Sequence, residues 1–275
     1  MRAARPFQYA ALLAYVVFLA FPLVWLVSTA FKTPPELGSV VQHWVPRAPT
    51  TRNFADAFAE QPVARAARNS LLVALGASVV TVALSAPAAY VLARYRTAMN
   101  KATLGWVLLS QIFPVILIVV PLFLVLKSLG LVGTLTGLCA VHVVWSMPFA
   151  LWMLQGYVKA VPPVLEEAAA VDGAGRWRTL TGVVAPLLAP GVVATLLFAF
   201  INSWNEFFFA MVLLKDDPQQ QTLPLVLTRF IGAQGVADLG PLAAASILAT
   251  VPSLVFFLLI QRRLTSGLLT GAVKG

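Results

Sequence analysis

Residues 183–214 read VVAPLLAPGVVATLLFAFINSWNEFFFAMVLL, a run in which Glu206 is the one charged side chain. A helix needs about 20 predominantly apolar residues to cross a bilayer, and this run exceeds that length. Working outward, residues 9–31, 70–93, 104–126, 135–154 and 242–260 have the same character. Each is expected to be a helix, because lipid offers no partner for open backbone groups. Pro22, Pro87, Pro114, Pro121, Pro148, Pro190 and Pro252 lie in or at the ends of these runs. In water they would argue against helix; inside a bundle they are tolerated as kinks. The expected fold is all-α and integral to a membrane, with six transmembrane helices in one domain over residues 1–275. That domain divides into a first span with its outer segment (1–68), a five-helix core (69–262) and a tail (263–275).

Composition agrees. The chain is 60% hydrophobic and 11% charged, against about 25% charged for an ordinary soluble domain. So little polar surface cannot cover a water-soluble globule. The formal charge of +9 would suggest nucleic acid on a soluble protein, but here the basic residues flank the spans, and no nucleic-acid partner is expected. Arg2 and Arg5 before the first apolar run resemble the start of a signal peptide. The run is longer than a signal core and no small-x-small site follows before Lys32, so it is read as a retained helix. The single Cys139 supports no disulfide framework.

With the N-terminus placed in the cytoplasm, eleven of the 19 Lys and Arg fall inside. Arg94, Arg96 and Lys101 share one short loop, and Arg262 and Arg263 directly follow the last span. Positive charge at short loops sets topology, so both termini are expected in the cytoplasm of a multi-pass membrane protein. The outer segments are then 32–69, 127–134 and 215–241. The inner loops are 94–103 and the longer 155–182.

Within the longer loop, residues 161–179 read VPPVLEEAAAVDGAGRWRT. Pro162 and Pro163 suit a helix start, where a missing N–H is harmless. Glu166 and Glu167 suit the positive end of the helix dipole. Leu165, Ala168, Ala169 and Asp172 recur at helical spacing, and Gly173 suits a left-handed helix end. The loop is therefore expected to carry a short exposed helix with a narrow face of small side chains. Such a face either admits a close partner or reflects alanine's helix propensity.

Glu167-Ala168-Ala169, then Gly173, then Val183-x-Ala185-Pro186 resembles the EAA loop, E-A-A-x3-G-x9-I-x-L-P, of permease subunits of binding-protein-dependent ABC importers. Val183 and Ala185 depart from the usual Ile and Leu. Asn53-Phe54, Phe113-Pro114, Pro121-Leu122-Phe123, Trp204-Asn205-Glu206-Phe207, Thr222-Leu223-Pro224, Ala243-Ala244-Ala245-Ser246 and the ending after Gln261 are similar to the sugar branch, in particular the smaller membrane subunit of maltose-type importers. The resemblance implies a coupling helix between spans four and five that docks on an ATPase, formed by Glu167, Ala168, Ala169 and Gly173 with Glu166 and Asp172 beside them. It also implies a second permease subunit, two cytoplasmic ATPase subunits carrying ATP-Mg, and an extracytoplasmic sugar-binding protein. The chain itself has no G-x4-G-K-[ST] phosphate loop, so no cofactor is expected on it.

An acid inside a span is expensive, which singles out Glu206 with its neighbours Asn202, Trp204 and Asn205. Either they line a sugar path, with Trp204 stacking on a ring, or they form a polar cluster that pins helices. Gln111 is a further pathway candidate, and His142 reads as a hydrogen-bonded histidine within the bundle. An ABC permease for another solute, such as a glycerol phosphate, shares these features. A secondary transporter would show inverted repeats and broken helices. An intramembrane enzyme lacks clustered ligands or a nucleophile–base pair in the sequence.

Overall fold

The computed structural model describes residues 4–95, 97–232 and 237–269. The C-terminal part of the expected tail, from residue 270, and the basic residues Arg2 and Arg96 lie outside the described residues. The helices are α1 (Ala4–Ala30), α2 (Pro34–Leu37), α3 (Arg52–Glu60), α4 (Val63–Arg94), α5 (Ala98–Ser110), α6 (Val115–Ser128) and α7 (Leu135–Ala160). They continue with α8 (Val164–Val171), α9 (Arg176–Thr179), α10 (Ala185–Trp204), α11 (Phe208–Leu214), α12 (Leu223–Leu227) and α13 (Leu239–Leu269). A π-helical turn, Leu180–Val184, joins α9 to α10.

Five helices among the described residues are long and apolar enough to cross a membrane: Phe7–Ala30, Val63–Arg94, Leu135–Ala160, Arg176–Trp204 and Leu239–Leu259. The third expected span is not one helix. It is broken between α5 and α6 at Gln111, Ile112, Phe113 and Pro114. Pro114 lacks an N–H, adopts extended angles (φ −60°, ψ 126°) and precedes α6, while Phe113 is restricted by the proline ring that follows it. The two pieces pack on different neighbours, α5 on α7 and α6 on α11. The other six prolines remain inside their helices. The fifth run is divided as well, with α10 ending at Trp204 and α11 starting at Phe208.

The Cα packing gives two compact units. One holds the described residues up to Ala67 together with Leu223–Pro252; the other holds Arg68–Thr222 and the described residues from Ser253. In the first unit Ala243 and Ala244 of α13 pack on Ala30 of α1, with Leu26, Phe31, Phe54 and Ile247 around them. In this first unit the buried Asn53 amide donates to the carbonyls of Ala30 (2.9 Å) and Lys32 (2.8 Å), bonds that tie α3 to the end of α1. Gly240 lies so close to the Asn53 amide that a methyl group there would collide with it. Lys32, the first residue of the expected outer segment 32–69, is fully buried, its ammonium 4.3 Å from the Trp25 ring centroid. That distance is within the reach of a cation–π contact.

In the second unit α7 packs along α10. Leu151, Leu154 and Ala89 form one buried cluster; Val158, Val161, Val184 and Leu188 form another. The two helices approach closely at Gly191, where an added Cβ would collide with the Tyr157 ring. Pro186 follows the π turn. Its missing N–H and bulky ring would clash with a carbonyl one regular turn back, and the wider turn, in which Ala185 N–H bonds Leu180 O, relieves this.

Replacing Gly191 with Ala should therefore lower stability by about 1–3 kcal/mol through overpacking, seen as a lower thermal unfolding midpoint in detergent. Gly156→Ala, where no neighbouring atom lies within 4 Å of the new carbon, should leave the midpoint unchanged or raise it.

Candidate functional site

α8 forms where the loop physics places it. Pro163 sits at its N-cap with φ −57°, Glu166 and Glu167 occupy the first turn, and Asp172 closes it. Gly173 then takes φ +80°, a left-handed angle that a side chain would strain. The end is a Schellman motif: Ala174 N–H donates to Ala169 O (2.9 Å) and Gly173 N–H to Ala170 O (3.0 Å). One side of the helix is open. Val164, Leu165, Glu167, Ala168 and Val171 are exposed, Val171 at 88%. Ala169 and Glu166, on the other side, are partly covered.

The two adjacent glutamates, about 100° apart on the helix, differ in surroundings: Glu167 is exposed and Glu166 is partly covered. Glu166 was expected on the docking surface beside Glu167, but its carboxylate is taken up within the chain. Arg94 Nε donates to Glu166 Oε1 at 2.7 Å, a second guanidinium nitrogen lies 2.6 Å from the same oxygen, and Tyr90 O–H donates to Oε2 at 2.6 Å. That second nitrogen also donates to the Val161 carbonyl at 2.9 Å. Both charged side chains are only 15% exposed. Tyr90 and Arg94 were not singled out as site residues; Arg94 read only as a marker of orientation. Their spacing of four on one helix, which puts them on one face, is the signal that would have found them. Beside this cluster lies a cavity of about 390 Å³, walled by Pro87, Val91, Trp177 and Leu180.

The second candidate group divides. Glu206 lies between α10 and α11 rather than within a span, and it caps the start of α11. Oε1 accepts from Phe209 N–H (2.7 Å), and Oε2 accepts from Ala210 N–H (3.1 Å) and pairs with His142 Nε2 (3.2 Å). His142 Nδ1 meets Ser203 Oγ at 2.6 Å. With an ionised Glu206 and a neutral imidazole, Nε2 carries the proton and the Ser203 hydroxyl donates to Nδ1. This hydroxyl–imidazole–carboxylate chain is one that the sequence did not reveal. It is walled in, with His142 3% and Ser203 7% exposed, and it links α7, α10 and the start of α11. Trp204 is buried with its ring stacked on Phe200, so its faces are not offered to a sugar in this conformation. Asn202 and Asn205 are exposed, and each donates back to its own helix, at Phe198 O and Ile201 O. Gln111 lies exposed in the break before α6.

The family described as binding-protein-dependent transport system inner membrane component matches residues 82–269. A putative ABC transporter permease protein of Streptomyces antibioticus is 65% identical over 230 residues, 84% of this chain and 100% of that protein. The trehalose/maltose transport system permease protein of Thermococcus litoralis is 35% identical over 268 residues, 96% of this chain and 95% of that protein. The fold is similar to that of a chain in the crystal structure of a bacterial ABC transporter involved in the import of the acidic polysaccharide alginate. The TM-score is 0.79 at 20% identity, over 95% of this chain and 98% of that chain.

Removing the Glu206 carboxylate by Glu206→Ala should lower stability by about 1–3 kcal/mol, because the N–H groups of Phe209 and Ala210 lose their acceptor. Asn205→Ala should change it by less than about 0.5 kcal/mol, as expected for an exposed site. Thermal unfolding of the two purified variants beside the wild-type chain checks both.

Proposed function

Because the chain belongs to the binding-protein-dependent transport system inner membrane components, we propose that it is one membrane-spanning subunit of an ATP-driven importer for a carbohydrate. The observation that carries this reading is α8, a short helix with an uncovered face of small and apolar side chains that starts at Pro163 and ends in a Schellman turn at Gly173. Small residues such as Ala168 let a partner approach the helix backbone closely. Glu167, Ala168, Ala169, Asp172 and Gly173 form the coupling helix, which seats in a cytoplasmic ATPase subunit. Two such subunits, each with ATP-Mg, drive this chain and a second permease subunit between inward- and outward-open states. An extracytoplasmic binding protein delivers the sugar, a mono- or oligosaccharide, to the outer segments. Both termini are cytoplasmic. The sugar class rests on the relatives named above, above all the trehalose/maltose permease. Broken third and fifth spans also occur in ion-driven carriers, and the family membership favours ATP.

Proteoliposomes holding the complete complex test this, with trehalose and maltose as probes in the presence of the cognate binding protein. Uptake should require ATP and survive an uncoupler. Glu167→Lys or Ala168→Trp should reduce uptake at least about tenfold, equivalent to 1.4 kcal/mol of coupling, through lost ATPase docking. Uptake that needs an ion gradient instead of ATP would refute the proposal.

A further inference from the structure

We propose that Glu166 is a positioning residue: with Arg94 and Tyr90 it bolts the coupling helix to the end of α4, so that α8 and α4 move together. The inference rests on the importer reading for its purpose, but the bolt itself stands on geometry. Both Glu166 oxygens are committed, one to the Arg94 guanidinium and one to the Tyr90 hydroxyl. Arg94 also holds the Val161 carbonyl, at the entry to the proline pair that starts α8. The pair is therefore attached to both the helix and its leading strand of backbone. Charge-assisted bonds with two donors on one carboxylate are the strong kind, and a mostly buried ion pair is poorly screened by salt.

The apolar layer next to the bolt is continuous with it. Val161 packs with Val158, Val184 and Leu188, and Tyr90 and Ala93 of α4 pack against that cluster. α8 thus meets α4 through the Glu166 bonds, while the apolar layer ties Val161, at the entry to α8, to Tyr90 and Ala93 of α4.

The path along the chain from α8 to α10 is different. It runs through Gly173 at a left-handed angle, Gly175, the four-residue α9 and the π turn Leu180–Val184. π turns are local departures from regular helix that recur at functional sites. The route to span five passes through these turns and the packing of α8 on α9 and the π turn, whereas the route to span two passes through the ion pair itself. The Glu166 bonds give a force on α8 a direct route to α4. The neighbouring glutamates divide the task, Glu167 facing the motor and Glu166 facing the chain's own span.

The test uses the assembled complex in nanodiscs and reads two quantities. The first is backbone hydrogen exchange over residues 164–173. Arg94→Gln and Glu166→Gln should each speed it at least fivefold, Tyr90→Phe should have a smaller effect, and the charge exchange R94E/E166R should restore protection. The second is motion of α4, from a spin label at V91C in a C139S background, compared between the resting and vanadate-trapped states. The ATP-dependent shift should fall by half or more in Arg94→Gln and return in R94E/E166R, while ATPase subunits stay bound in every variant. Unchanged exchange in Arg94→Gln, or a full α4 shift without the ion pair, overturns the proposal. So does loss of the ATPase subunits in Glu166→Gln but not in Arg94→Gln, which would make Glu166 a direct motor contact. Failure of the importer reading looks different: the wild-type complex shows no ATP-dependent movement at all, while the exchange data still decide the bolt.

Discussion

A backbone placed in lipid must satisfy its own hydrogen bonds, and the rest of this structure answers to that constraint. It makes every long apolar run a helix, and it makes each interruption a place where bonds must be found elsewhere. The two interruptions are resolved differently. At Pro114 the chain gives up a donor it never had and restarts as α6. At Glu206 a carboxylate takes the free N–H groups of α11, and a histidine and a serine steady that carboxylate in turn.

Polar side chains in this chain act chiefly on backbone ends. Asn53 takes the carbonyls that α1 leaves open. Asn69 donates to Gln219 O and Gln221 O, and Gln221 donates to Lys215 O, which organises the segment after α11. Arg94 holds the carbonyl before Pro162. A buried polar group without a partner is costly, so each of these doubles as an address that specifies where a loop must sit. The apolar contacts then need only be close-packed, as at Gly191 against Tyr157.

Span positions were legible because apolar length is a property of composition and needs no partner to be read. The capping of α8 was legible for a similar reason: prolines, first-turn acids and Gly173 act within a few residues of one another. What escaped was set by distance in sequence. Glu166 and Arg94 are separated by two whole spans, and the helices α5, α6 and α7 between them hide their meeting. His142 and Ser203 are likewise brought together only by the packing of α7 on α10. The break at Pro114 was missed because six similar prolines sit in unbroken helices. What distinguishes it is that α5 and α6 rest on different neighbours. Trp204 looked like a sugar platform by residue type, yet its stacking partner was already present four residues earlier in Phe200.

The angular division of Glu166 and Glu167 has a consequence for how this loop can change over generations. One residue turns an α-helix through about 100°, so a single insertion or deletion between Val161 and Glu166 would rotate the whole of α8. The inward acid would swing to the outside, leaving Leu165 against Arg94 after an insertion, or Glu167, withdrawn from the open face, after a deletion. Side chains in this loop are thus freer to drift than its length is, and the spacing from the proline pair to Gly173 is the quantity under restraint.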